Sequence, residues 1–206
     1  MLYRIARWLL FPLLKGVFRL QVTGRGNLPR SGGFILCSNH QSVLDPCLIG
    51  AACWPIFPDG NCRRPIRFMA KSELFTDHGR GAAWLLKSLG AFPVERDSAD
   101  ADSIREALQI LENGEVLGVF PQGRCVKDGT PFRPKLGAAL LAQKSGVPLV
   151  PACIQCPGGI RPFAKVRVRI GPPVVSGEST LSQRRQTRQL AQRLADSVNK
   201  LLEEES

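Results

Sequence analysis

The chain has 206 residues, a hydrophobic fraction of 44% and a formal net charge of +11, with a pI of about 9.8. That length suits one domain with a sizeable core, and the apolar content excludes a chain disordered throughout. The charge calls for an anionic partner such as nucleic acid, a membrane surface or an acidic carrier protein. A single Tyr leaves little aromatic stacking for single strands and argues against nucleic acid.

Residues 1–20 mix Leu, Ile, Trp and Phe with Arg4, Arg7, Lys15 and Arg19, and the uninterrupted apolar stretch from Trp8 to Leu14 is short. A spanning helix needs about 20 mostly apolar residues, so this segment is expected to lie in the headgroup region as a monotopic anchor. An amphipathic helix packed on the core is the competing reading. Gly16-Val17-Phe18-Arg19 is wrong for the small-residue cleavage site of a signal peptide. Val17 to Val22 alternates like a strand, and the loop from Gly24 to Pro29 lacks the third glycine of a dinucleotide fingerprint.

Phe34 to Cys37 reads as a buried strand that ends in Ser38-Asn39-His40 and turns at Asp45-Pro46. A helix is expected from Pro46 to Ala52, a Pro- and Gly-rich connection from Trp54 to Pro65, a strand from Arg67 to Lys71 and a helix from Gly81 to Leu89. Gly90 to Arg96 is a short strand ending in an acid and a base. Asp100 then caps a helix with Ile104, Ala107, Leu108 and Leu111 on one face. Glu115 to Phe120 is a strand that delivers Pro121-Gln122-Gly123-Arg124 to a sheet edge.

Leu136 to Ser145 reads as a helix, Val147 to Pro151 starts a strand, and Lys165 to Ile170 alternates as a half-exposed strand. From Leu181 the spacing of Leu190, Leu194, Val198 and Leu201 makes an amphipathic helix. Its basic start and acidic end oppose the helix dipole. Strands alternating with helices imply an α/β fold, a single domain with a mixed central sheet flanked by helices. The seven cysteines, Cys37, Cys47, Cys53, Cys62, Cys125, Cys153 and Cys156, are odd in number and scattered, which fits a reducing compartment. One CxxC, Cys153 to Cys156, with no second pair or nearby His is poor evidence for zinc. No metal and no cofactor are expected.

His40 and Asp45 carry the chemistry. On one continuous helix, residues five apart point roughly 140° apart, but a strand-to-helix turn can join them. Asp45 would then accept a hydrogen bond from one ring nitrogen of His40 and leave the other as a base able to deprotonate a hydroxyl. Read alone, the pair also fits a satisfied turn histidine and a helix N-cap. Cys37, three residues before His40, faces the other side of a strand and makes a poor covalent partner.

Three strand-end loops bring polar groups together: His40 with Asp45, Lys71 with Glu95 and Arg96, and Gln122 with Arg124. In this order the chain resembles the glycerolipid acyltransferases, specifically the lysophosphatidate acyltransferases. The four blocks are Asn39-His40 through Asp45, Gly90 to Arg96, Phe120-Pro121-Gln122-Gly123, and Val147 to Pro151. The resemblance spans roughly Val17 to Ile170, and the ordered set is far more specific than its parts. It implies His40 as general base, Asp45 as its orienting partner, and Arg96 with the third-block residues Gln122, Gly123 and Arg124 as substrate-binding; Lys71 is counted with them as an oxyanion-donor candidate if its side chain turns inward. Residues 1–20 are then expected to be an interfacial segment and 21–206 an acyltransferase domain at the cytoplasmic face of a membrane, peripheral or monotopic.

The implied donor is an acyl thioester on acyl carrier protein or coenzyme A, and the implied acceptor a lysophospholipid. The third block departs from the family, which has Glu before the Gly and Thr-Arg after it, where this chain has Gln122 and then Arg124-Cys125. The carboxylate charge is lost and the guanidinium displaced by one position. Either Arg124 still reaches the acceptor phosphate, or the headgroup differs, and Arg133 and Lys135 could compensate. A non-catalytic anionic-lipid-binding module is the alternative class.

Overall fold

The computed structural model describes residues 11–53, 66–77, 79–88, 90–94, 101–126, 130–177 and 182–204. Residues 1–10 of the amphipathic segment, the connection from Trp54 to Pro65, the pair Glu95 and Arg96, and the capping Asp100 lie outside these. The seven strands are β1 (Gln21–Thr23), β2 (Phe34–Ser38), β3 (Ile66–Lys71), β4 (Phe92–Val94), β5 (Val116–Val119), β6 (Leu149–Gln155) and β7 (Arg167–Ile170). They form one sheet in the order β1-β7-β6-β2-β5-β3-β4. Every pairing is parallel except β6 with β7, so the sheet is mixed as expected.

Every residue of β2 is buried, as a strand covered on both faces requires. Its side chains alternate between two cores. Phe34 and Leu36 pack with Leu48 and Ile49 of α2 (Asp45–Cys53) and with Phe18. Ile35 and Cys37 join the core beneath α5 (Ala101–Glu112), α6 (Gly137–Ser145) and α7 (Gln183–Glu203). Two helices, α3 (Glu73–Thr76) and α4 (Gly79–Ser88), connect β3 to β4. The result is a helix–sheet–helix sandwich, and α7 supplies Leu190, Leu194, Val198 and Leu201 to it as the spacing predicts.

The N-terminal element differs from expectation. Residues 11–17 are helical (α1), and the strand is confined to Gln21–Thr23. Leu14, Val17 and Phe18 extend a helical stripe, with the Phe18 N–H donating to Leu14 O at 3.0 Å, and the chain reverses at Arg19, whose φ is 40°. The strand is only as long as its register with Arg167–Arg169. Phe11 and Phe18 are buried, and Phe11 packs where a Cβ on Gly50 would come within 2.8 Å of its ring. Part of the apolar stripe therefore serves the core, while Leu13 stays 61% exposed. Beside α1, Arg25 Nε donates to Ala52 O at 2.8 Å near the end of α2. Burial and then the Arg25 charge hold the Lys15 ammonium below its usual pKa.

β7 also departs from expectation, because it is not half-exposed: Val168, Arg169 and Ile170 are all buried. Arg169 donates to Gln155 Oε1 and, at 3.3 Å, to Leu201 O. Gln155 Nε2 donates to Leu202 O at 2.7 Å. These donors meet carbonyls at the end of α7 that have no intrahelical partners, and the Arg169 cation sits where the helix dipole is negative. The adverse charge order along α7 is offset there. Replacing Arg169 with Ala should cost about 2 to 3 kcal/mol of stability, the scale of a lost charged hydrogen bond, measured by denaturant unfolding; an unchanged midpoint would refute this account.

Candidate active site

β2, β3, β4 and β5 run parallel, so their C-terminal ends share one edge of the sheet. At the end of β2 the buried Asn39 side chain bonds both backbone groups of one residue on β6. Its Nδ2 donates to Ile154 O at 2.9 Å, and its Oδ1 accepts from Ile154 N at 2.8 Å. An amide with one donor and one acceptor continues the ladder by one rung where β2 has stopped. The next residue, His40, is thereby held at the rim.

The turn that follows closes around Asp45. Asp45 Oδ2 lies 2.8 Å from His40 Nδ1 and accepts from the N–H groups of Gln41 at 2.6 Å and Ser42 at 2.9 Å. Asp45 is fully buried, whereas the His40 side chain keeps 13% exposure. Asp45 Oδ1 has no hydrogen-bond partner among the described residues. The carboxylate faces back into the turn, which is more than an N-cap would do. An oxygen that already accepts two backbone N–H groups assigns the Nδ1 proton to His40, leaving Nε2 with its lone pair. That nitrogen can accept a proton from a substrate hydroxyl.

The imidazole stacks on Phe120 with centroids 4.2 Å apart at 18°, and Phe120 stacks on Phe68 at 5.7 Å and 13°. The column needs Gly118, since a Cβ there would fall 2.4 Å from the Phe68 ring. The sequence reading gave Phe68 and Gly118 no role, nor Asn39 its clamp. The glycine inside Val116-Leu117-Gly118-Val119 was the available signal, because glycine within a strand often marks a close approach.

The loop after β5 comes to the same place. Gln122 Oε1 lies 3.4 Å from His40 N, and the Val126 N–H donates to His40 O at 2.7 Å. Gly123, at φ 75°, turns this loop back, with its N–H donating to Phe120 O at 2.9 Å. The neighbouring strap is tied in by the Lys135 N–H donating to Pro121 O at 2.8 Å and by Asn199, which bonds the Phe132 backbone N–H at 2.8 Å and C=O at 3.2 Å. Arg124, Arg133 and Lys135 are exposed. His40, Asp45, Gln122, Gly123 and Arg124 are thus brought together. Lys71 ends β3, where it registers with Val94 on the same edge, but its side chain and the whole of Arg96 lie outside the described residues.

Cys37 is fully buried in the core opposite Phe34 and Leu36, and burial pushes its thiol far above the usual range. A thiolate–imidazole pair with His40 is not what this geometry provides. Cys153 and Cys156 fall in different cores, so the CxxC sulfurs point to opposite sides of the sheet.

A family model described as Acyltransferase matches residues 19–155. The chain is 30% identical over 190 residues to the 1-acyl-sn-glycerol-3-phosphate acyltransferase of Bacillus subtilis, covering 88% of this chain and 89% of that one. It is 28% identical over 177 residues to a chloroplastic protein of the same name from Brassica napus, covering 80% of this chain and 47% of that one. Among solved structures it matches the 1-acyl-sn-glycerophosphate (LPA) acyltransferase of Thermotoga maritima with a TM-score of 0.67 and 26% identity, over 100% of this chain and 80% of that one.

The Asn39 clamp is open to a direct test. Asn39→Ala orphans the Ile154 N–H and C=O together, so stability should fall by about 2 to 3 kcal/mol in denaturant titration. Activity per folded molecule should fall too, because His40 loses its anchor. A variant with native stability would show that the clamp is dispensable.

Proposed function

Because the chain belongs to the acyltransferase family, we propose that it moves a fatty acyl group from an acyl thioester to the free hydroxyl of 1-acylglycerol-3-phosphate. The product is phosphatidic acid, which places the enzyme in phospholipid biosynthesis. The observation that carries the mechanism is the 2.8 Å contact between His40 Nδ1 and the fully buried Asp45 carboxylate. His40 Nε2 takes the hydroxyl proton as the oxygen attacks the thioester carbonyl. The tetrahedral adduct then collapses, the carbon–sulfur bond breaks, and the leaving thiolate takes the proton from the imidazolium. Asp45 holds the ring and faces the transient positive charge. No acyl-enzyme is required.

Arg124, with Arg96 and Lys71, is assigned to the anionic headgroup, and Gln122 and Gly123 shape the loop beside it. The donor is acyl carrier protein or acyl-coenzyme A, both anionic and both suited to a chain of net charge +11. Among the described residues no helix is long and apolar enough to cross a membrane. Residues 1–20 serve as an interfacial segment, 21–206 as the acyltransferase domain, and the enzyme works at the cytoplasmic face of the membrane as a peripheral or monotopic protein.

Acyl transfer in detergent, with lysophosphatidate compared against lysophospholipids bearing other headgroups, tests the reading. His40→Ala should lose roughly 10² to 10⁴ in rate, as expected for a positioned base, and Asp45→Asn should lose rate without losing acceptor binding. Folded wild type that binds lipid but transfers to no acceptor would instead favour the binding-module alternative. Arg124→Ala should raise KM for lysophosphatidate roughly tenfold or more, the value of one charge-assisted hydrogen bond, with kcat little changed. Equal KM in wild type and variant would remove Arg124 from the headgroup site.

A further inference from the structure

The large apolar side chains left exposed among the described residues are concentrated on one side of the molecule. Val43 and Leu44, at 79% and 38% exposure, lie on the turn between His40 and Asp45. Leu136, at 42%, follows Lys135, which is tied to Pro121 at the end of β5. Phe163, at 75%, lies in the loop between β6 and β7. The register places that loop: β2 ends where Ser38 pairs with Ala152, and the β6–β7 ladder runs past it to Gln155 and Arg167. Phe163 therefore emerges at the His40 edge. Trp84, 58% exposed, lies on α4, and Val175, 54% exposed, follows the Leu149–Val174 bridge at the opposite edge.

Phe163 is held out rather than folded in. Its φ is 63°, a conformation bulky side chains rarely adopt. Its N–H donates to Val17 O at 2.7 Å, which seats the loop against the end of α1. Leu13, exposed one turn earlier, shares the Val17 face of that helix. Phe11 and Phe18, from the same stretch of chain, are both buried, so an outward aromatic ring here is not for want of a core.

Charge identifies the occupant. Arg161 and Lys165 flank Phe163, Arg19 follows α1, and all three are exposed. Residues 156–166 contain no Asp or Glu, and the first acid in the whole chain is Asp45, which is buried. An aromatic ring between cations, in a segment that itself contains no acid, matches an anionic headgroup layer over an acyl interior; Glu203 and Glu204 lie beyond it, after Leu202, whose carbonyl Gln155 bonds. We propose that the β6–β7 loop, with Phe163 as an inserted ring and Arg161 and Lys165 as headgroup contacts, is a second membrane contact. Together with the N-terminal segment it seats the His40 edge on an anionic lipid surface. The inference rests on the reading that the acceptor is a membrane lipid.

The full-length protein is tested on phosphatidylcholine vesicles with and without phosphatidylglycerol. Phe163→Trp should add emission that brominated phosphatidylcholine quenches beyond the wild-type level, whereas Val175→Trp on the opposite edge should add none. Phe163→Asp should weaken binding to phosphatidylglycerol vesicles by roughly tenfold to a hundredfold, the worth of burying one large apolar side chain. Its turnover of detergent-dispersed lysophosphatidate should be unchanged. No added quenching at 163, equal quenching at 175, or equal vesicle affinity of Phe163→Asp and wild type would each overturn the contact. If wild type turns over no dispersed acceptor, the proposed reaction fails, while quenching at 163 still decides whether this loop meets lipid.

Discussion

A carboxylate carried wholly out of water must be surrounded by donors, and meeting that demand for Asp45 shapes the rest of the site. Desolvating such an ion costs several kcal/mol. The compensation comes from the Gln41 and Ser42 N–H groups and the His40 ring, all converging on Oδ2. A turn that aims three donors at one atom has little freedom left. The same bonds that make burial of the charge tolerable therefore fix the orientation of the imidazole and where α2 begins. Buried charge and aligned imidazole are one structural solution.

That solution works only if the ends of the strands do not move, and the chain secures them with side chains that imitate backbone. Asn39 pairs both polar groups of Ile154 past the end of β2, and Asn199 pairs both of Phe132 from α7. Each amide satisfies two main-chain groups where no strand is present to do so. Phe68 and Phe120 then brace the open face of the ring. The imidazole is thus held on one side by hydrogen bonds and on the other by stacking, which is the preorganisation that the proposed proton transfer needs.

Periodicity made much of this legible. Phe34 to Cys37, Glu115 to Phe120 and the α7 stripe were readable because long apolar runs bury the same way whatever their partners. The His40–Asp45 contact was readable because the chain keeps the two residues five apart, across a strand-to-helix turn that can join them. Val17 to Val22 misled because an alternating six-residue run that starts at the end of a helical stripe fits two periods, and tertiary pairing with β7 chose the boundary. Arg169 misled because a charged residue reads as solvent-facing until a helix end supplies carbonyls for it. Asn39 and Gly118 act on residues 115 and 50 positions away, respectively; a glycine within a strand can signal a close approach, but no local pattern names the distant partner.

On the proposed reaction, two anionic substrates arrive from different phases, the thioester from water and the lysolipid from a membrane. A net charge of +11 concentrates both, but it attracts the anionic product as strongly and so cannot supply discrimination. Selectivity must come from groups close to the reacting hydroxyl, where fields are short-ranged and geometry counts. The third block matters most for this reason. On that reading, Gln122 in place of a carboxylate leaves no fixed negative charge of that block beside His40 N to oppose an acceptor phosphate, and the exposed Arg124, two residues further on, would help to set its position. On the proposed reading, this departure leaves headgroup recognition to the cations Arg124, Arg96 and Lys71 rather than abolishing it.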